Sequence, residues 1–162
     1  MGRKKIIGYT TGVFDLFHIG HLNLLKNAKS MCDHLIVGVT SDELVSYKGK
    51  TSIVPFRERI EIVRSIKEVD SVVGQYEIDK FKAWEKLKFD VIFVGDDWFG
   101  SDEWNEYERK FKEVGVKVVY FPYTLGTSST IITDVLKNSQ KLIKQAEKEE
   151  AASLKSKADT NK

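Results

Sequence analysis

A succession of short runs rich in β-branched residues, separated by stretches of helical spacing, constrains this chain more than any other feature. KIIGYT near residue 5, HLIVGVT from His34, DVIFVG from Asp90 and VKVVYF from Val116 each have strand length. A weaker run, VDSVVG from Val69, lies between the second and third of these. Helical spacing fills Ile19 to Met31, Pro55 to Lys67, Ile78 to Leu87, Trp104 to Val114 and Ser128 to Ile143. The alternation predicts an α/β fold, a doubly wound, mainly parallel five-stranded sheet with helices on both faces, Rossmann-like in its winding. In such sheets ligands bind beyond the carboxyl ends of the strands, where the strand order reverses. Residues that carry chemistry should therefore follow strands directly.

With 162 residues the chain supports one core and not two. The boundaries read as a domain over 1–140 and a charged helix or tail over 141–162, because KLIKQAEKEEAASLKSKADTNK loses its apolar stripe, and part of it is expected to be disordered. A formal net charge of +2 creates no broad field and does not favour nucleic acid as a partner. Cys32 is the single cysteine, so an internal disulfide and a multi-cysteine metal site are excluded. No apolar run reaches the roughly 18 residues of a membrane helix, and MGRKKIIGYT has no signal-peptide core. The expectation is a cytoplasmic protein without a membrane partner.

The stretch TTGVFDLFHIGH follows the first strand and opens the first helix. His18 and His21, at i and i+3, share one face of the first helical turn, where backbone N–H groups and the helix dipole favour an anion. Gly12 is expected to permit a tight turn and Gly20 to allow close approach of a ligand. The pattern points to phosphate binding; a capped helix start with Phe14, Leu16 and Phe17 as core is the plainer alternative. A zinc site lacks a third ligand at a suitable spacing and lacks the glutamate of HExxH.

GVFDLFHIGH resembles the signature of the cytidylyltransferases, HxGH nucleotidyltransferases. YKGKTSIVPFRERIEIVRSIKEVDSV resembles that family's lysine-bearing loop, ER-containing helix and YVDEV-like strand. VGDDW, from Val94 to Trp98, is similar to the form in bacterial glycerol-3-phosphate cytidylyltransferases, and PYTLGTSST, from Pro122 to Thr130, looks like the RTEGIST loop. The likeness covers about residues 5 to 137. It implies that a substrate phosphate oxygen attacks the α-phosphorus of CTP and that pyrophosphate leaves. A phosphate monoester with a second pKa of about 6 is already ionised, so no general base is required.

The resemblance assigns catalysis to His18, His21, Lys48 and Lys50. CTP would be held by Thr10, Thr11, Gly12, Phe14, His18, His21, Gly95, Asp96, Thr127, Ser128, Ser129 and Thr130, with Gly126 opening the loop. Lys50, Arg59, Asp97 and Trp98 are assigned to substrate or phosphate. Mg²⁺ is the implied cofactor, its ligands open, with Asp96 and Asp97 as candidates. A homodimer is implied in the same way. Tyr123 replaces an arginine of the family pattern, and Lys67 replaces another. The leading acceptor is glycerol 3-phosphate, giving CDP-glycerol for a cell-wall or capsule polymer. Phosphocholine, phosphoethanolamine or another polyol phosphate are alternatives, as is a non-catalytic nucleotide-binding regulatory module.

Overall fold

The computed structural model describes residues 2–126 and 128–160. Five strands, β1 (Ile7–Gly12), β2 (His34–Thr40), β3 (Ser71–Gln75), β4 (Val91–Gly95) and β5 (Lys117–Phe121), form one sheet. Its order is β3-β2-β1-β4-β5 and every pairing is parallel. The chain steps outward from β1 to β3, then returns to place β4 on the other side of β1. The strand order therefore reverses between β1 and β4, the place at which sheets of this kind bind ligands.

The helices are α1 (Ile19–Ser30), α2 (Asp42–Tyr47), α3 (Phe56–Arg64), α4 (Lys80–Leu87), α5 (Asp102–Glu113) and α6 (Ser129–Thr160), with a 3-10 turn over Asp96–Trp98. Period-2 side-chain alternation divides β4 between two cores. Ile92 and Val94 pack with Tyr9, Phe89, Trp104, Tyr107 and Phe111 on one face. Val91 and Phe93 pack with Phe14, Leu25, Val37 and Val63 on the other. This explains why the strands read as near-continuous apolar runs. Three aspartates secure the amino ends of the strands: Asp33, Asp70 and Asp90 accept from the backbone N–H groups of Ile6, Leu35 and Ile7 at 2.8, 2.8 and 2.9 Å.

Two elements differ from the sequence expectation. The six-residue α2 has only Leu44 and Val45 buried, too few to show a helical period, and the Ser41 hydroxyl starts it by accepting from Leu44 N. The chain divides into compact units at residues 127 and 128, and α6 runs unbroken through residue 140, where the sequence reading placed its boundary. Losing an apolar stripe removes a packing face; Ala, Lys, Glu, Gln and Leu still favour helical backbone. No described helix is long and apolar enough to cross a membrane.

Candidate active site

The loop after β1 makes its turn with bulky residues. Phe14 and Leu16 have φ of 53° and 50°, the left-handed region that side chains other than glycine seldom enter. Gly12 ends β1 and has a different use: a Cβ there would stand 3.0 Å from the Phe14 ring. Phe14 is 3 % exposed and meets His21 edge to face at 5.4 Å. It supports the imidazole from behind and has no face for CTP, which corrects its assignment as a contact.

His18 is the N-cap of α1, and its Nδ1 accepts from Gly20 N at 3.0 Å. His21 Nδ1 accepts in turn from His18 N at 3.3 Å. Because a backbone N–H can only donate, both rings carry their proton on Nε2. The rings stack with centroids 3.8 Å apart. Gly20 makes this possible, since a Cβ there would lie 2.8 Å from the His18 ring; the group that comes close is the histidine itself and not the expected ligand.

Burial lowers the His18 pKa, and burial together with His18 lowers that of His21 to about 4, against an opposing pull from Asp15. Both imidazoles are neutral at pH 7 and offer Nε2–H as fixed donors. The shift also ties acid stability to His21. The unfolded chain binds this proton near pH 6.5 and the folded chain only near pH 4, so stability is complete above that window and falls as pH drops through it. We expect a loss of roughly 2 kcal/mol after allowance for partial exposure. Urea midpoints at pH 7 and 4.5 should show it in the native chain and show much less in His21→Leu.

Asp15 is 6 % exposed, and its carboxylate accepts from Ile53 N and Val54 N at 2.8 and 2.9 Å. The histidine loop is thereby tied to the lysine-bearing loop. Asp42 accepts from the Ser52 hydroxyl and from Phe56 N, and Lys50 N donates to Val45 O, so that loop is held at both ends. Arg59 closes the arrangement: Nε donates to Val54 O at 2.8 Å, Nη1 to Val13 O and Thr40 O at 2.7 and 2.8 Å, and Nη2 to Asp42 Oδ1 at 2.7 Å. Its side chain is 0 % exposed. Arg59 is a positioning residue for both loops, and its assignment to substrate phosphate is corrected.

Lys48 and Lys50 are exposed. Although Lys48 as a whole is exposed, partial desolvation of its ammonium and the charge of Lys50 lower its pKa. Lys80, at the first position of α4, is half-buried and its ammonium donates to Ile78 O at 3.0 Å; burial and the charge of Lys48 lower its pKa to about 8. Sequence reasoning passed over it. The available signal was a lysine directly behind the helix-starting Asp79, whose carboxylate accepts from Phe81 N.

The loop after β4 emerges beside the histidine loop, because Thr10 pairs with Phe93 and the two strands end two residues later. The Thr10 hydroxyl donates to Phe93 O at 3.0 Å and is 1 % exposed, so it joins the strands and does not reach CTP. Thr11 and Gly12 are partly exposed at these strand ends, as is Gly95. Asp96 and Asp97 are exposed, and Trp98 is 47 % exposed. A Cβ on Gly95 would meet Asp97 Oδ1 at 3.0 Å and the Tyr123 hydroxyl at 3.1 Å. Burial and a hydrogen bond to Asp97 push the Tyr123 pKa up to about 12, so this residue offers a neutral phenol where the family pattern has a cation. Thr124 accepts from Asn23 Nδ2 at 3.1 Å, which lays the segment after β5 along the start of α1.

The sequence pattern of the Cytidylyltransferase-like family matches residues 9–155. The chain belongs to the cytidylyltransferase-like family. Membership makes it a nucleotidyltransferase of the CTP-dependent class. It is 36 % identical over 138 residues to a glycerol-3-phosphate cytidylyltransferase of Bacillus subtilis, spanning 81 % of this chain and 95 % of that protein. It is 39 % identical over 127 residues to an FAD synthase of Pyrococcus horikoshii, spanning 74 % and 82 %. A solved lipopolysaccharide core biosynthesis protein of Thermoplasma volcanium superposes with a TM-score of 0.63 at 29 % identity, covering 75 % of this chain and 98 % of that one.

Within this cytidylyltransferase-family domain the structure brings His18, His21, Thr11, Gly12, Gly95, Asp96 and Asp97 to the carboxyl ends of the adjacent strands β1 and β4. Asp15 ties the loop that follows Lys48 and Lys50 to this group through Ile53 N and Val54 N. Thr127 lies outside the described residues. Ser128, Ser129 and Thr130 belong to the second unit, where the Ser128 hydroxyl accepts from Ile131 N as a helix cap does.

Proposed function

We propose that this chain transfers CMP from CTP to a small phosphorylated alcohol, with glycerol 3-phosphate favoured, giving CDP-glycerol and pyrophosphate. The observation that carries this reading is the pair of stacked neutral histidines, whose Nε2–H groups are preset as donors where the strand order reverses. Such donors stabilise charge that develops at an α-phosphate without reorganising. The acceptor phosphate brings its own ionised oxygen, and Lys48, Lys50 and Lys80 hold it. Relatives that bear the name glycerol-3-phosphate cytidylyltransferase span nearly their whole length on this chain, which supports the acceptor.

Mg²⁺ would reduce the charge of the triphosphate. Among the described residues no three His, Cys, Asp or Glu form a ready cation cage. A pair of exposed carboxylates suits Mg²⁺, which retains waters and takes one or two carboxylates with phosphate oxygens. Asp96 and Asp97 would supply them. A cytoplasmic location, a homodimer and a role in polymer precursors belong to the same proposal.

A second reading, FAD synthesis, is favoured by the archaeal relatives of that name. The test is pyrophosphate release with CTP or ATP against glycerol 3-phosphate, phosphocholine, phosphoethanolamine and FMN. CTP with glycerol 3-phosphate should react; ATP with FMN alone would transfer the assignment to the second reading, and silence with CTP bound would leave a regulatory module. The lysines add a pH signature. Lys80 is charged below pH 8 and loses its proton above it, so kcat/KM for the acceptor should fall as pH rises through about 8. Lys80→Arg, charged throughout, should move that limb to higher pH.

A further inference from the structure

Beside the lysines stands a carboxylate that phosphate binding does not need. Glu103 lies in the first turn of α5, one turn before Tyr107, and residues four apart share a helix face. The Tyr107 hydroxyl accepts from Lys80 N at 3.2 Å, so this face of α5 is turned toward the start of α4. Trp104 is 5 % exposed and packs on Tyr107 at 5.1 Å, which fixes the helix beneath Glu103. Glu103 itself is exposed and forms no hydrogen bond or ion pair among the described residues. Its negative charge raises the pKa of Lys48 and Lys80, against the burial that lowers both.

A carboxylate near a phosphate site repels the ligand unless the ligand brings donors to it. We propose that Glu103 is the specificity-determining residue of the acceptor site, accepting hydrogen bonds from the hydroxyls of a polyol phosphate whose phosphate end is held by Lys48 and Lys80. This rests on the reading of the chain as a transferase to a phosphorylated alcohol. The two carboxylate oxygens suit a vicinal diol. A quaternary ammonium would need exposed aromatic faces around it. Trp104 and Tyr107, the aromatic residues of α5 beside Glu103, are 5 % and 9 % exposed and offer none; the exposed rings of Trp98 and Phe99 precede the helix. Stabilising the α5 dipole is a role that Glu103 shares with Asp102, and such a role is blind to the acceptor.

The discriminating pair of acceptors is glycerol 3-phosphate and n-propyl phosphate, equal in carbon number and different in hydroxyls. For Glu103→Gln, kcat/KM with glycerol 3-phosphate should fall about 10- to 100-fold, as for loss of a charged hydrogen-bond acceptor. With n-propyl phosphate it should hold or rise, and the KM for CTP should not change. A preference between the two acceptors that stays within about twofold of the native enzyme overturns the assignment of Glu103 alone. A native enzyme that releases no pyrophosphate with CTP and any phosphorylated alcohol overturns the transferase reading, and the assignment with it.

Discussion

Replacing His18 by alanine is expected to lower turnover by about 10³-fold while CTP affinity stays nearly unchanged. The ring donates from Nε2 because its Nδ1 is engaged by Gly20 N, and that donor gains strength only as charge builds on the α-phosphate. Removing it withdraws transition-state binding and leaves the ground state with its other partners. His18 is also the cap of α1, so alanine should cost about 1 kcal/mol of stability besides. His18→Ser separates the two roles: a serine hydroxyl restores the cap and not the donor. Single-turnover rates and CTP titration on both variants decide the matter, and native-like turnover in either would remove His18 from the reaction.

The largest effect on stability is expected from Arg59→Ala, a loss of about 3–5 kcal/mol. Three carbonyls, of Val13, Thr40 and Val54, lose their donor together, and Asp42 loses its ion pair. A fully buried side chain also leaves a cavity. Lysine supplies charge without the planar fork and should recover only part of the loss. Denaturant midpoints at constant slope measure this directly. A shift below about 1 kcal/mol would mean that the loops are held elsewhere.

These two residues mark how far the sequence was readable. The strands were plain because both faces of a parallel sheet are covered, and the resulting apolar runs cannot be mistaken for surface. The HxGH turn was plain because its spacing is short and local. Arg59 was not: in RERIEIVR it looks like one more charge on an amphipathic helix, and its partner Asp42 lies 17 residues upstream, brought near only by the packed sheet. Phe14 and Leu16 were not, since bulky residues give no sign of a left-handed turn. Which nitrogen of each imidazole carries its proton follows from backbone donors that only the folded loop presents. Lys80 and Glu103 stand on different helices, α4 and α5, which the bond from Lys80 N to the Tyr107 hydroxyl joins, and no spacing rule reveals that pairing.

The loop that carries Lys48 and Lys50 is fastened at Val45, Asp15 and Asp42. Its backbone is held on both sides, so the freedom left to the loop lies mainly in its side chains. The moving parts are the four-carbon side chains, which rotate in picoseconds to nanoseconds. If these lysines hold the acceptor phosphate as proposed, its capture and release follow rotamer exchange, above a backbone that Asp15 ties to the histidine loop.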